Sequence, residues 1–240
     1  MTYKTALVPY MVLLAIGTFV SSHLLGFDYR NPGFLKPMFF FEAAAVLYMA
    51  IMARRIHGNM VSGFDRLDPG ALVWFLPFIV AVLAMATAIL PNVSTNDPLT
   101  SLAIVGTTIL VGISEEGMFR GILLRGLLKE TGCGKAIVTS SALFGVLHSL
   151  NLLAGVPIGQ VGFQLVATFL LGLVFACLAV RSGALWPGMV LHALWDMGLI
   201  LSVQFRVALL VWPLIGLIVI FLVGLILWFA VLCKPAVPGV

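Results

Sequence analysis

Eight apolar runs, each about as long as a membrane-spanning helix, decide what this chain can fold into. A helix needs about 20 mostly apolar residues to cross a bilayer, so each run predicts one transmembrane helix. The acidic, basic and imidazole side chains that interrupt a few of these runs are then the candidates for function. The runs cover approximately residues 6–25, 37–52, 71–90, 102–124, 136–153, 161–180, 185–201 and 208–232.

The composition excludes a water-soluble globule. Hydrophobic residues make up 62% of the 240 residues and charged residues only 9%, and the mean hydropathy is +1.16. Soluble domains are nearer 25% charged. We therefore predict an all-α fold, a polytopic bundle of about eight transmembrane helices that forms a single domain over residues 1–240. The basic residues are scattered at the ends of the runs, which argues against a nucleic-acid-binding surface.

The positions of Lys and Arg predict an orientation, because cytoplasmic loops carry an excess of these residues. With the N-terminus inside, nine of them fall on cytoplasmic segments and three on external loops. We predict that both termini are cytoplasmic and that the protein resides in the cell (inner) membrane. The inside set is Lys4, Arg54, Arg55, Arg66, Arg125, Lys129, Lys135, Arg181 and Lys234, and the outside set is Arg30, Lys36 and Arg206.

Two carboxylates and a guanidinium interrupt the fourth run, at Glu115, Glu116 and Arg120. A charge at the centre of a membrane helix costs roughly 2.5–3.5 kcal/mol on insertion scales, so such residues usually mark a site. Residues four apart share a helix face, so Glu116 and Arg120 can pair while Glu115 points about 100° away. We predict a structural Glu116–Arg120 pair and a reactive Glu115; the alternative is an ion cluster that only packs helices.

Polar residues in the fifth and seventh runs could converge on Glu115. His148 follows Phe144 by four residues, and His192 and Asp196 share one helix face at the same spacing. Alone, His148 could be a core histidine, and His192 with Asp196 could be half of a metal site. A rise of about 1.5 Å per residue places all four groups between mid-bilayer and its cytoplasmic half. They can therefore share one pocket.

These residues resemble the motifs of the CaaX-protease and bacteriocin-processing (Abi) family of intramembrane proteases, which is related to the type II CaaX prenyl endopeptidase. That family carries Glu-Glu-x-x-x-Arg, Phe-x-x-x-His and His-x-x-x-Asn/Asp on successive helices. The similarity covers about residues 100–200, the candidate catalytic core. The motifs here read Glu115-Glu116-x-x-x-Arg120, Phe144-x-x-x-His148 and His192-x-x-x-Asp196.

The resemblance implies an intramembrane endopeptidase that cuts a membrane-embedded or lipidated substrate near the cytoplasmic face, with prenylated proteins among the candidates. It implies that Glu115 and His148 activate a water and that His192 and Asp196 stabilise the oxyanion. Asp196 stands where related CaaX enzymes carry Asn. An ionised Asp cannot donate a hydrogen bond, so Asp196 must either be protonated or instead orient His192.

We expect no cofactor, because the chain lacks the His-Glu-x-x-His spacing of many zinc proteases. If a metal binds, Glu115, His148 and His192 would hold zinc with an open coordination position.

Two interpretations without proteolysis stay open. A proton-coupled transporter would use Glu42, Glu115 and His148 as a relay, and it predicts repeats or broken helices, for which Pro187 is the one hint. A non-catalytic scaffold or bacteriocin-immunity factor would retain the fold and tolerate a conservative change at Glu115. Glu42 could otherwise line the catalytic cavity or pair with Arg120.

Overall fold

The protein, seen in a computed structural model, is helical throughout, with no strand among the residues that the structure describes. Those residues are 2–58, 67–94, 96–209 and 212–232. Arg66 and Lys234, which contribute to the predicted orientation, lie outside them, as does part of the predicted cytoplasmic loop. The predicted all-α class is confirmed.

The helices follow the apolar runs and mostly extend beyond them by a few residues. Hydropathy marks the part of a helix that lies in the bilayer, whereas the backbone hydrogen bonds continue to the next cap or turn. The α-helices are α1 (Tyr3–Phe19), α2 (Leu35–His57), α3 (Leu76–Ile89), α4 (Pro98–Glu116), α5 (Arg125–Glu130), α6 (Cys133–Leu147), α7 (Ile158–Ser182), α8 (Trp186–Gln204) and α9 (Trp212–Leu232).

Several helices continue as wider or tighter turns and so form longer rods. A π-helical segment, Val20–Leu24, ends α1, and 3-10 turns at Pro32–Phe34 and Pro69–Phe75 lead into α2 and α3. A second π-helical segment, Gly117–Leu124, joins α4 to α5. The 3-10 turn His148–Ala154 extends α6.

Seven rods in the described part of the chain are long and apolar enough to cross a membrane, as expected of an integral membrane protein. The last helix, α9, includes a shorter apolar stretch, Phe221–Leu232. The predicted count of eight spans and the predicted orientation therefore stay predictions. The seven rods are Tyr3–Leu24, Pro32–His57, Pro69–Asn92, Pro98–Glu130, Cys133–Ala154, Ile158–Ser182 and Trp186–Gln204.

The central rod, Pro98–Glu130, starts at a side-chain cap. Oδ1 of Asp97 accepts a hydrogen bond from the backbone N–H of Thr100 at 3.0 Å. Pro98 follows in the first turn, where a backbone N–H would have no acceptor within the helix, so the lack of an N–H in proline costs no hydrogen bond. Pro187 likewise lies in the first turn of α8. It therefore begins that helix and does not break it, which removes the one hint of a transporter-like broken span.

Successive rods run in opposite directions, so their ends form two faces. On one face, Nζ of Lys4 lies 2.7 Å from the carboxylate of Glu130. On the other, Nζ of Lys36 lies 3.8 Å from the carboxylate of Asp97. We call these the Lys4 face and the Lys36 face. Contacts between other rod ends assign them to the same two faces. The Lys4 face holds the rod ends near residues 3, 57, 69, 130, 133, 182 and 186, and the Lys36 face holds those near 24, 32, 92, 98, 154, 158 and 204.

The central rod is packed between α2, α6 and α8. Every residue from 114 to 127 in it is buried. Gly112 permits a close approach of α8, since a Cβ at this position would lie 2.5 Å from the carbonyl oxygen of Met189. Three residues further along α8, His192 is thereby brought against the two carboxylates of the central rod.

Candidate active site

The two adjacent carboxylates stand where the central rod changes its helical geometry. The α-helix ends at Glu116, and the next eight residues, Gly117–Leu124, are π-helical. π-helical segments inside α-helices occur frequently at functional sites. The change of geometry directly after Glu115 and Glu116 is therefore typical of a functional site.

Glu116 and Arg120 form the buried ion pair expected from their spacing. Nη1 of Arg120 lies 3.3 Å from Oε1 of Glu116, and the two side chains are 0% and 2% exposed. Nη2 of Arg120 donates to the carbonyl oxygen of Gly172 at 3.2 Å, and the guanidinium lies 4.3 Å from the centre of the Phe144 ring. These contacts compensate in part for burying the charge, because a buried ion needs both partners and hydrogen bonds.

His192 lies among three carboxylates. Its Nδ1 is 3.0 Å from Oε1 of Glu116, and its Nε2 is 3.4 Å from Asp196 and 3.7 Å from Glu115. A carboxylate accepts, so Nδ1–H donates to Glu116, and Nε2 faces the other two acids. The ring stacks on Phe175 with the centroids 5.5 Å apart and the planes at 18°. His192 is therefore oriented by an acid on one side and an aromatic ring on the other.

His148 presents one nitrogen as a hydrogen-bond acceptor. Its Nδ1 lies 3.1 Å from the carbonyl oxygen of Phe144, to which it can only donate. In the neutral imidazole this leaves Nε2 without a proton. The residue begins the 3-10 turn that extends α6, and its ring packs edge-on against Phe144.

A cavity of about 440 Å³ brings the predicted catalytic residues together. Glu115, His148 and Asp196 line it, and His192 contacts both acids from behind. Oε2 of Glu115 is buried and accepts no hydrogen bond from the residues that the structure describes. A buried carboxylate oxygen normally has a partner, so an unpaired one beside the cavity marks Glu115 as unusual among the described acids.

Glu42 also faces this cavity, and it is 4% exposed. The Ser114 hydroxyl lies 2.9 Å from its Oε2, and the Tyr10 hydroxyl donates to Ser114 at 3.1 Å. Glu42 was expected either to line the cavity or to pair with Arg120. It lines the cavity, and Arg120 pairs with Glu116 instead. This buried chain, which joins three rods, ends next to Glu115.

Residues 97–198 match the family model described as Type II CAAX prenyl endopeptidase Rce1-like. This stretch is Rce1-like. It begins at Asp97, the cap of the central rod, and ends two residues beyond Asp196, so all three motifs fall within it. The resemblance inferred from the motifs is confirmed, and the family implies a protease. The searches of curated proteins and of solved structures gave no match.

Within and around the Rce1-like stretch, the structure adds contacts that the motifs do not contain. Phe175 stacks on His192 from α7, a helix that carries no motif residue. Tyr10 and Glu42 reach the site from rods outside the matched residues. The sequence pointed to Glu42, because an acidic residue inside a membrane span is rare. It gave no such signal for Tyr10.

The positions of the side chains bear on whether the site could hold a metal. In the described residues, no three His, Cys, Asp or Glu side chains are grouped so that they could hold a metal ion. Nδ1 of each imidazole is engaged, by Phe144 at His148 and by Glu116 at His192, which leaves Nε2 as the nitrogen that could meet a substrate or a metal ion. The expectation that no cofactor binds, and the alternative zinc set Glu115, His148 and His192, therefore both stay predictions.

Proposed function

We propose that this protein is an intramembrane endopeptidase that hydrolyses a peptide bond of a membrane-associated substrate. One observation carries the proposal: Glu115, His148 and Asp196 line one cavity, and His192 lies directly behind the two acids. Peptide hydrolysis needs a base, a water and donors to the developing oxyanion, and this arrangement can supply all three.

Glu115 and His148 activate the water in this proposal. Each lines the cavity and can offer an acceptor there, a carboxylate oxygen of Glu115 and Nε2 of His148. A water held between them can donate one hydrogen bond to each, which aims its lone pair at a carbonyl carbon. As the C–O bond forms, Glu115 takes the proton from the water, and it then gives that proton to the departing amine nitrogen.

His192 and Asp196 serve the oxyanion. With Nδ1–H committed to Glu116, His192 can donate from Nε2 only as an imidazolium. Three neighbouring carboxyl groups favour that charged form. We assign the donor role to His192, and to Asp196, 3.4 Å from Nε2, the task of a counter-charge beside the imidazolium. Glu116 and Arg120 support the site by fixing Nδ1 of His192.

The apolar cavity and its depth support the proposed substrate class. Glu115 is near the middle of the 33-residue central rod, and most of the residues that line the cavity are apolar. The proposed partners are therefore the bilayer and a membrane-embedded or lipidated peptide, with a prenylated protein as one candidate, and not a nucleic acid. The proposed location is the cell (inner) membrane.

The proposal is metal-free. Activity of the purified protein in detergent is expected to survive dialysis against a zinc chelator, because the base and the donors are side chains. A loss of activity that zinc restores would instead favour the metal set Glu115, His148 and His192.

The decisive experiment compares peptide termini in membranes that hold the wild type or Glu115→Gln at matched expression. Glutamine keeps the size of the side chain and removes the base. Glu130→Gln, on the same rod but half-exposed at the Lys4 face, is the control. We expect termini that vanish only in Glu115→Gln, with a rate loss of about 10²–10⁴-fold. Identical termini in both variants would instead favour the non-catalytic scaffold.

A further inference from the structure

Among the described residues, those that line the catalytic cavity lie toward one face of the bundle. The residues that line it lie in the halves of their rods nearest the Lys36 face, and it reaches its deepest points near mid-bilayer at Glu115 and Leu171. Its outer rim includes Tyr29, in the connection between α1 and α2, and Phe163, which is 66% exposed. Water and a peptide can therefore enter from the Lys36 face.

Toward the Lys4 face the site is closed by packed side chains. Phe119, Arg120, Ile122 and Leu124 are all fully buried directly below the two carboxylates. The guanidinium of Arg120 is covered by the ring of Phe144, with Phe175 5.8 Å away. A peptide approaching from the Lys4 face would have to displace this core before reaching Glu115.

The two faces differ in their content of basic residues. Among the described residues outside the site, the Lys36 face carries three Lys or Arg and the Lys4 face seven. Basic residues in short loops are enriched on the cytoplasmic side of a membrane protein, so the Lys4 face is the cytoplasmic one. The basic residues of the Lys36 face are Arg30, Lys36 and Arg206, and those of the Lys4 face are Lys4, Arg54, Arg55, Arg125, Lys129, Lys135 and Arg181.

Together, the position of the opening and the distribution of basic residues point to an access route. We propose that the cavity receives its substrate from the non-cytoplasmic side of the membrane. This inference rests on the proposed protease function and narrows its substrate class. The substrate is a membrane-anchored peptide whose cleaved segment lies at the outer surface or in the outer half of the bilayer. A lipidated tail attached on the cytoplasmic surface would meet the closed side.

The access route differs from cleavage near the cytoplasmic face, which the family resemblance implies. The depth of the catalytic residues does not separate the two routes, because Glu115 lies near the middle of its rod. What separates them is the side from which the cavity can be entered.

Two glycines provide matched sites for a test by thiol labelling. Gly132, on the Lys4 face, and Gly159, on the Lys36 face, are exposed, and a Cβ at either would meet no atom within 4 Å. Gly132→Cys and Gly159→Cys, each made after replacing Cys133, Cys177 and Cys233, change no charge that sets the orientation. A third variant, Ile200→Cys, places the thiol in the wall of the cavity.

A charged, membrane-impermeant maleimide is added to right-side-out and to inverted membrane vesicles of the expressing bacterium. We expect Gly159→Cys and Ile200→Cys to react at least tenfold faster in right-side-out vesicles than in inverted ones. We expect Gly132→Cys to show the opposite preference. The reverse pattern would overturn the inference. So would reaction of Ile200→Cys from the side that labels Gly132→Cys.

Labelling requires no proteolysis, so the inference and the proposed function can fail separately. If Glu115-dependent peptide termini are found, the inference expects them on the non-cytoplasmic side of the substrate's membrane anchor. Termini in cytoplasmic segments would leave the protease standing and refute this access route. Absence of any such termini, with the expected labelling, would instead refute the protease and retain the orientation.

Discussion

Nδ1 of His192 lies 3.0 Å from Oε1 of Glu116, the same oxygen that lies 3.3 Å from Nη1 of Arg120. One carboxylate oxygen thus joins two elements of the site, the central rod and α8. It compensates the buried guanidinium and at the same time fixes which nitrogen of His192 faces the cavity. The second Glu of the Glu-Glu-x-x-x-Arg motif therefore supports both the fold and the geometry of the site.

Glu116→Gln is expected to destabilise the protein strongly. The substitution leaves Arg120 buried without its counter-charge, and breaking a buried pair in this way costs about 3–5 kcal/mol. Thermal unfolding of the purified protein in detergent measures the loss. The double variant Glu116→Gln/Arg120→Met is expected to regain part of the lost stability because no unpaired charge remains, yet not activity. Wild-type stability of the single variant would contradict the buried pair.

His148→Ala is expected to lower the rate of cleavage by about 10²–10⁴-fold while unfolding stays close to that of the wild type. The half-buried imidazole supplies an acceptor to the cavity, and its loss removes one of the two groups that hold the water. His23→Ala is the matched control, since His23 also contacts a backbone carbonyl, that of Leu153, but does not line the cavity. Equal activity of the two variants would assign His148 to packing.

Gly112→Ala is expected to reduce activity through a displacement of α8. The added methyl group would lie 2.5 Å from the carbonyl oxygen of Met189 and 3.1 Å from the backbone nitrogen of Ala193, neither of which can rotate away. Overpacking of this kind costs about 1–3 kcal/mol, and a shift of about 1 Å at His192 can cost about 10²-fold in rate. Gly162→Ala, with open space around it, is the control. Similar kcat values for the two variants would refute the close approach as a determinant of the site.

Asp97 is expected to make the stability of the protein depend on pH in the acidic range. The side-chain and backbone donors of Thr100, with Lys36 nearby, hold the pKa of Asp97 below its usual value of 3.8. A carboxyl whose folded-state pKa is depressed stabilises the fold above its unfolded pKa and loses that contribution as the pH falls through the folded value. Thermal unfolding is therefore expected to show a loss of stability below about pH 3.8 that Asp97→Asn, which keeps a cap oxygen, lacks. Parallel pH profiles would contradict this cap.

Local sequence determined the features that depend on spacing within one helix. Apolar runs predicted the helical rods, because burial in lipid depends on the composition of each segment. The spacing of Glu116 and Arg120 predicted their ion pair, since residues four apart are neighbours whatever surrounds the helix. The three motifs likewise identified the Rce1-like stretch, because each is carried by a short segment of sequence.

Only the tertiary structure decided what depends on the rotation and relative height of different helices. The packing of the rods brings His192 to Glu116 and Phe175 onto His192. It also places Glu42 at the cavity, where Ser114 donates to it. The tertiary structure also decides at which face the cavity opens, because the position of the opening depends on how all the rods pack together. Hydropathy predicts the length of each helix but not its rotation about its own axis. That rotation is set by packing between helices, which brings together residues far apart in the chain.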